Sequence, residues 1–469
     1  MKKNILFVVI IFCALQLRAQ QTDTRGVKVT GSSKDTAVFK GTTYAVVVGV
    51  SDYKYIKPLS FADQDALLFR EFLQSKAGGS VKPDNILLII NNDANASTQP
   101  RIRHWVSSKN PQKGDRVYFY FAGHGDAISK SEYFFLLQDC DPAGDQQNYT
   151  GGMASVIQMY NIKAFIKDAL IDTDLLIEAV PEDLNLKKKV YSEVDQFAEE
   201  KTVYASNTST LPISEISQLT SRPDRFIGLH FFNPPQLMKL VEVIPGARTE
   251  KSIVDLGINL VKSFGKDPIL CNKDVPGFIV NRIFIPLVHE AAYCLESDGK
   301  TMTQIDSAVK FKLFLPMGIF ELADYTGIDV IHKATVEMYS RDKKVIHPHP
   351  MIAQLFSSGK LGKKSGDGFY SYGDKNYERV PLSEEEAKQY DPIRILSVAL
   401  NNASWLITNK VCNKEDLELA LRLGMGLKKE LFEIGKEYGF ENIINTLNQL
   451  KKGNESFYTP DPYLVTLLK

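Results

Sequence analysis

The sequence predicts an α/β protein: a parallel, three-layered sheet followed by an all-α C-terminal region with an internal repeat. Three observations carry that prediction. From Tyr44 to Phe121 short apolar runs alternate with stretches of helical periodicity, in the order strand, helix, strand, helix, strand. Strand-like apolar runs resume at 174–179 and around His230 and Glu242. After Asn281 the pattern is helical, and residues 283–330 match 395–442 at a constant offset of 112, which pairs Ala308 with Ala420, Phe320 with Phe432, Glu321 with Glu433 and Gly327 with Gly439.

Composition narrows the function. Of 469 residues 44% are hydrophobic, and 56 basic residues balance 56 acidic ones. That balance excludes intrinsic disorder, and it leaves no surplus of cations to neutralise phosphates, so no nucleic-acid partner is expected. At roughly 100–200 residues per domain the length suggests about three. The cysteines, Cys13, Cys140, Cys271, Cys294 and Cys412, include no C-x-x-C pair, so neither a disulfide framework nor a metal site is expected. Lys2 and Lys3 precede an apolar run from Ile5 to Leu17 that ends near Ala19, so residues 1–19 read as a secretory signal peptide. It implies export to a periplasmic or extracellular location. No other stretch reaches about 18 apolar residues, so no membrane partner is expected beyond that segment.

The elements follow in order. Tyr44–Val50 is a buried strand, with too little alternation to face water on one side. Ala62, Ala66, Phe69 and Leu73 recur at helical spacing. Ile86–Ile90 is a strand closed by Asn91-Asn92-Asp93, and Val117–Phe121 is a third that runs into Ala122-Gly-His-Gly-Asp126. The segments YAVVVGVSDY, LSFADQDALLFREFL, DRVYFYFAGHGD and YFFLLQDCDP resemble caspase-like, metacaspase-type cysteine peptidases (peptidase C14-like) over about 40–165. The resemblance implies that His124 is the peptidase general base, which a thiol nucleophile needs because the thiolate attacks. No D-x-C-x-S/G-like nucleophile setting follows it, and Cys140 falls too early, so it reads as a structural cysteine.

From Asp172 to about Tyr372 the chain resembles the 3-hydroxyacyl-CoA dehydrogenases, through DTDLLIEAVPEDLNLKKKV, ASNTSTLPISEI, RFIGLHFFNPPQLMKLVEVI, KDVPGFIVNRI, PMGIFELADYTGIDV and GKLGKKSGDGFYSY. Oxidising a secondary alcohol needs a base for the hydroxyl proton while hydride leaves, and neutral imidazole suits that task near pH 7. The resemblance implies that His230 is this base, that Glu242 orients it, that Ser209 meets the substrate oxygen and nicotinamide, and that Asn281 steadies the carbonyl. It further implies NAD as cofactor, with contacts from Glu182, Lys187, Ser209, Asn233 and Lys364, and an acyl-CoA substrate of the fatty-acid β-oxidation type. Lys188 and Lys189 read as a solvated helix face, and Met317 and Phe320 as core. A homodimer through the helical domain is a further implication, and the dehydrogenase chemistry itself would suit the cytoplasm. The family's Gly-x-Gly-x-x-Gly turn is absent from the chain, so weak or no NAD binding is expected.

The expected organisation is a signal peptide at 1–19, a truncated caspase-like domain at 40–168, and the C-terminal half of an NAD-binding Rossmann domain at 169–271. A helical, 6-phosphogluconate-dehydrogenase-like C-terminal domain follows at 272–372, then a linker at 373–392 and a second helical repeat at 393–469. The function implied is an NAD-dependent 3-hydroxyacyl-CoA dehydrogenase impaired by the missing turn. The alternatives are a secreted caspase-like endopeptidase without its nucleophile, or a non-functional fusion of two gene fragments. Strand 174–179 is expected beside 116–121, making one hybrid sheet, because each apolar strand needs a neighbour.

Overall fold

The computed structural model describes residues 5–12, 42–141, 156–158 and 175–468, except 60–61, 76–78, 112–114, 130–131, 181, 197, 234, 236, 343–344, 373–379 and 452–455. The sequence also predicts a helix at about 161–169 that closes the caspase-like half; it and Cys13, with the rest of the leader, lie outside these residues.

Two separate sheets organise the N-terminal part. In the first, Thr43–Gly49 (β2) lies between Ile86–Ile90 (β3) and Arg116–Ser129 (β4), parallel to both. Its Ala45–Val48 core is fully buried, as expected of a β-branched run covered on both faces. Helix α1, Ala62–Gln74, closes one face, and a Cβ on Gly49 would stand 2.5 Å from that of Ala66, so only glycine lets helix and strand end meet. The second helix of the expected alternation, Thr98–Lys109 (α2), follows β3. Glu132–Leu136 (β5) and Val156–Gln158 (β6) extend the sheet antiparallel.

The expected hybrid sheet does not form. Among the described residues, Leu175–Glu178 (β7) makes its only ladder with Val203–Ser206 (β8). The free side of β4 is met instead by Ile5–Phe12 (β1), antiparallel, with Ile5 opposite Gly125 and Phe12 opposite Tyr118. The physical need was correctly identified, since an apolar edge does take a strand, but the strand comes from the segment read as a leader.

The second sheet runs β11-β10-β9-β8-β7, adding Phe226–Phe231 (β9), Leu240–Pro245 (β10) and Asp267–Leu270 (β11). Strands β7, β8 and β9 are parallel, and β10 turns antiparallel against β9. Helices Leu184–Val194 (α3), Ile213–Ser217 (α4) and Lys251–Ser263 (α5) punctuate the strands.

Beyond Cys271 the chain is helical. Val280–Ser297 (α6), Met302–Lys312 (α7), Ile319–Thr326 (α8), Ile328–Arg341 (α9) and Pro350–Ser357 (α10) precede Glu384–Lys388 (α11). Ile393–Thr408 (α12), Lys414–Gly424 (α13), Leu431–Tyr438 (α14), Phe440–Leu450 (α15) and Pro462–Thr466 (α16) complete the chain. The stretch read as a linker therefore carries a short helix, with Ala387 and Tyr390 buried and the Tyr390 carbonyl accepting from Lys312 at 2.8 Å. Phe320 is in the core as expected, its ring 4.7 Å from that of Phe369, whereas Met317 is half-buried.

Candidate active site

His230 on β9 and Glu242 on β10 are directly opposed in the antiparallel register, so their side chains emerge on the same face. The imidazole Nδ1 lies 2.7 Å from Glu242 Oε2. The other carboxylate oxygen accepts the backbone N–H groups of Ile279 (3.1 Å) and Val280 (2.9 Å), the first donors of α6. Ile279 brings no side-chain cap to that helix, so Glu242 caps it from the sheet, where the helix dipole also favours a negative charge. Gly277 and Phe278, at φ of +81° and +50°, bend the chain so that these N–H groups face the carboxylate.

Acceptor counting fixes the histidine tautomer. When Glu242 is ionised its remaining oxygen can only accept, so in a neutral imidazole Nδ1 carries the proton and Nε2 a lone pair. Glu242 is fully buried and His230 is 5% exposed. Phe232 and Phe278 flank the imidazole at ring separations of 4.6 and 5.9 Å. The arrangement is a buried base with one oriented, open nitrogen.

A second network joins the ends of β7 and β8. Glu182 Oε1 accepts from the Thr208 hydroxyl (2.7 Å), the Ser209 and Thr210 N–H groups (2.9 Å each) and the Thr210 hydroxyl (3.1 Å), clamping the 206–210 loop. Burial alone would raise the Glu182 pKa, but Lys187 and these donors outweigh it and hold the carboxyl below its usual range. Asn281 Nδ2 reaches across to the Ser209 carbonyl at 3.1 Å, joining this loop to the helix that Glu242 caps. The Ser209 hydroxyl has no protein partner among the described residues.

Lys187 departs from the expected cofactor contact. It is wholly buried, with its ammonium 2.8 Å from Glu178, 3.2 Å from the Val180 carbonyl and 3.5 Å from Glu182. Glu178 in turn accepts from Val180 N–H, Ser206 and Tyr191. Lys187 thus holds Glu182 in place rather than presenting a charge at the surface, while Lys188 is exposed as expected. Asn233 is exposed just past β9, and Lys364 stands apart from the network, ion-paired with Asp329.

Glu178 and Asn207 escaped sequence reasoning. Asn207 accepts from Phe231 N–H at 2.8 Å and so ties the end of β8 to the strand that bears His230. A lone glutamate inside the apolar run Leu-Leu-Ile-Glu was the available signal for the first, since a buried carboxylate needs a partner.

In the other half, His124 is 3% exposed and its Nε2 lies 2.8 Å from the Lys57 carbonyl. Its backbone N–H donates to Tyr53, whose hydroxyl donates to the Leu136 carbonyl. Cys140 is fully buried. Among the described residues of this half, no cysteine is exposed to meet a substrate.

Comparison with known proteins agrees with this division. The family model for the caspase domain matches residues 42–173, that for the 3-hydroxyacyl-CoA dehydrogenase NAD binding domain matches 142–275, and that for the dehydrogenase's C-terminal domain matches 277–372. The first two overlap at 142–173, most of which lies outside the described residues. The chain is 42% identical to the 3-hydroxybutyryl-CoA dehydrogenase of Clostridioides difficile over 205 residues, which is 43% of this chain and 72% of that protein. It is 42% identical to the mitochondrial hydroxyacyl-coenzyme A dehydrogenase of Sus scrofa over 202 residues, 43% of this chain and 64% of that one, so it spans about two thirds of that relative's length. Among solved structures, the 3-hydroxybutyryl-CoA dehydrogenase of Escherichia coli K12 superposes with a TM-score of 0.56 at 25% identity, covering 64% of this chain and 82% of that chain.

Proposed function

The chain belongs to the 3-hydroxyacyl-CoA dehydrogenase family, and from that premise we propose that residues 175–372 carry the oxidation of the 3-hydroxyl of an acyl-CoA. The observation that bears most weight is the His230–Glu242 pair, with its anchorage on the first turn of α6. His230 Nε2 takes the hydroxyl proton, and Glu242 stabilises the imidazolium that results. The free Ser209 hydroxyl donates to the substrate oxygen, and Asn281, held on the same loop, keeps that donor in register with the base.

The family uses NAD, which supplies the hydride acceptor when bound. The residues present fit half of it. The C-terminal ends of β7, β8 and β9 bring Glu182, Ser209 and Asn233 to one edge of the sheet, as the nicotinamide side requires. The pyrophosphate side has no glycine turn to offer, and among the described residues β7 is the last strand of its sheet. The expected outcome is NADH binding far weaker than micromolar, with slow but His230-dependent reduction of a 3-ketoacyl-CoA by NADH. Calorimetry that finds micromolar NADH affinity would overturn the weak-binding half of this proposal. A rate unchanged in His230→Gln would overturn the catalytic half.

The leader reading is carried forward as a proposal of export, checked by mapping the N-terminus of the mature chain. The helical repeat likewise supports a reading. Helices α7 and α13, α8 and α14, and α9 and α15 each begin 112 residues apart, and Gly327 and Gly439 both take positive φ at the same place. We read 393–469 as a second copy packed on the first, with Ile393 at the position of Asn281 and therefore no second site.

A further inference from the structure

The second helical unit touches the catalytic sheet as well as the first unit. A Cβ on Gly424, at the end of α13, would meet Leu240 at 2.9 Å and Phe232 at 3.2 Å, so this helix lies against the strand that carries Glu242. At the other end of the same contact, the Asn272 N–H donates to the Val411 carbonyl at 2.7 Å. That bond puts Cys271, which follows β11, and Cys412, which precedes α13, on either side of one backbone link between the two regions.

Both side chains belong to one apolar cluster, with Cys271 0% and Cys412 2% exposed. Both are free thiols. Burial pushes Cys271 well up, with Glu242 and then Cys412 adding to the push. Burial also pushes Cys412 up to about 12, helped by Asp416 and Glu242. Both thiols therefore feel the Glu242 carboxylate, and Cys271 also feels Cys412. By contrast, Cys294 lies within α6 and Cys140 in the other half of the chain.

We propose that Cys271 and Cys412 are a disulfide-forming pair that latches the second helical unit onto the edge of the catalytic sheet beside Glu242. The oxidant is a small-molecule disulfide of the glutathione class. One cysteine thiolate attacks it, forming a mixed disulfide and releasing one glutathione thiolate. The second cysteine thiolate attacks the protein sulfur of that mixed disulfide and expels the other glutathione. Two electrons pass from the two protein thiols to the oxidant, and the released thiolates take up the two protons. Because only thiolates attack and the docked thiols are held protonated, exchange precedes docking of the second unit or waits for its transient release. Once formed, the bond links residues far apart in sequence and restricts the unfolded chain, so it stabilises the fold.

The test uses the full chain, equilibrated in glutathione buffers from fully reduced to strongly oxidising. It is then unfolded, alkylated and mapped by mass spectrometry. The expected result is loss of the Cys271 and Cys412 thiols together, recovery of one peptide pair joined by a bond two hydrogens lighter, and a higher Tm that falls back on reduction. Cys140 and Cys294 remain alkylatable. In Cys412→Ser, Cys271 either stays reduced or carries a single glutathione, and oxidation no longer shifts Tm. The idea is overturned if Cys271 and Cys412 alkylate as fully as Cys294 in the most oxidising buffer, or if either is joined to another cysteine. The wild-type measurement stands alone should the serine variant fail to fold.

Discussion

Glu242 shows how much one buried carboxylate can be asked to do. It accepts two backbone donors from α6 with one oxygen and orients His230 with the other. In Glu242→Gln one oxygen still accepts from the helix, but the new amide meets Nδ1 as a donor and reverses the tautomer, moving the proton to Nε2. The expected loss of rate is on the order of 10³–10⁴-fold relative to the parent chain, read from initial rates of NADH oxidation with a 3-ketoacyl-CoA. A fall of less than tenfold would show that the tautomer argument fails. Lys187 gives a prediction of the opposite kind. Its removal in Lys187→Met leaves Glu178 buried without its cation, which costs about 3–5 kcal/mol and is visible as a lower urea midpoint. A lysine that served only as a surface cofactor contact would lose affinity with no such loss of stability. His230 and Glu242 were legible because each sits in a run of apolar neighbours, where a polar residue needs a reason. Lys187 was half legible, since three consecutive lysines look alike in sequence and only the fold shows which one turns inward.

The helices share a device that their sequences conceal. Among the helices that begin without a side-chain cap of their own, three take a buried carboxylate from elsewhere. Glu242 serves α6, Asp306 accepts from Phe320 and Glu321 at the start of α8, and Glu418 accepts from Leu431 and Phe432 at the start of α14. A reading by local caps looks for Ser, Thr, Asp or Asn at the boundary and finds Ile279, Gly318 and Glu430 instead, so the starts of these helices could not be located that way. The strands fared better, because an apolar run such as Ala45–Val50 needs no distant partner to be recognised. The caps also predict a response to pH. Complete burial pushes Asp306 up to about 7 despite the Phe320, Glu321 and Tyr370 donors that pull it down. The folded state then holds a proton that the unfolded chain releases near pH 4, so this contribution is full below about pH 4 and is lost as pH rises towards 7. The expected outcome is a Tm that rises as pH falls from 7 to 5, a trend that weakens in Asp306→Ala, where Asp274, Glu290, Asp324 and Glu418, also pushed up by burial, still contribute. A Tm that falls equally in both proteins across that range would argue against it.

At the scale of the whole molecule, the two helical units meet through matching residues. One small apolar cavity is lined by Ile283 and Ile395, Leu287 and Ala399, Val309 and Leu421, and Ile319 and Leu431, each pair separated by the same 112 positions. Such self-matching is what a two-fold interface between identical subunits would show, here drawn from one chain. The fully buried Glu290 pairs with the half-buried Arg394 and accepts from Tyr458 at 2.7 Å, which ties the two units together. The Arg282 guanidinium also stacks 4.1 Å above the Trp405 ring. Arg282 and Arg394 are themselves one repeat apart. A face already covered in this way has no call for a second copy, so we propose that contact within the chain takes the place of the homodimer that the resemblance implied. Light scattering of the full chain is expected to give the mass of one copy. A chain ended after Tyr372 would expose Ile283, Leu287, Val309 and Ile319 together and is expected to dimerise or aggregate through them. Two outcomes would refute this: a full chain that dimerises, or a truncated chain that stays monomeric at high concentration.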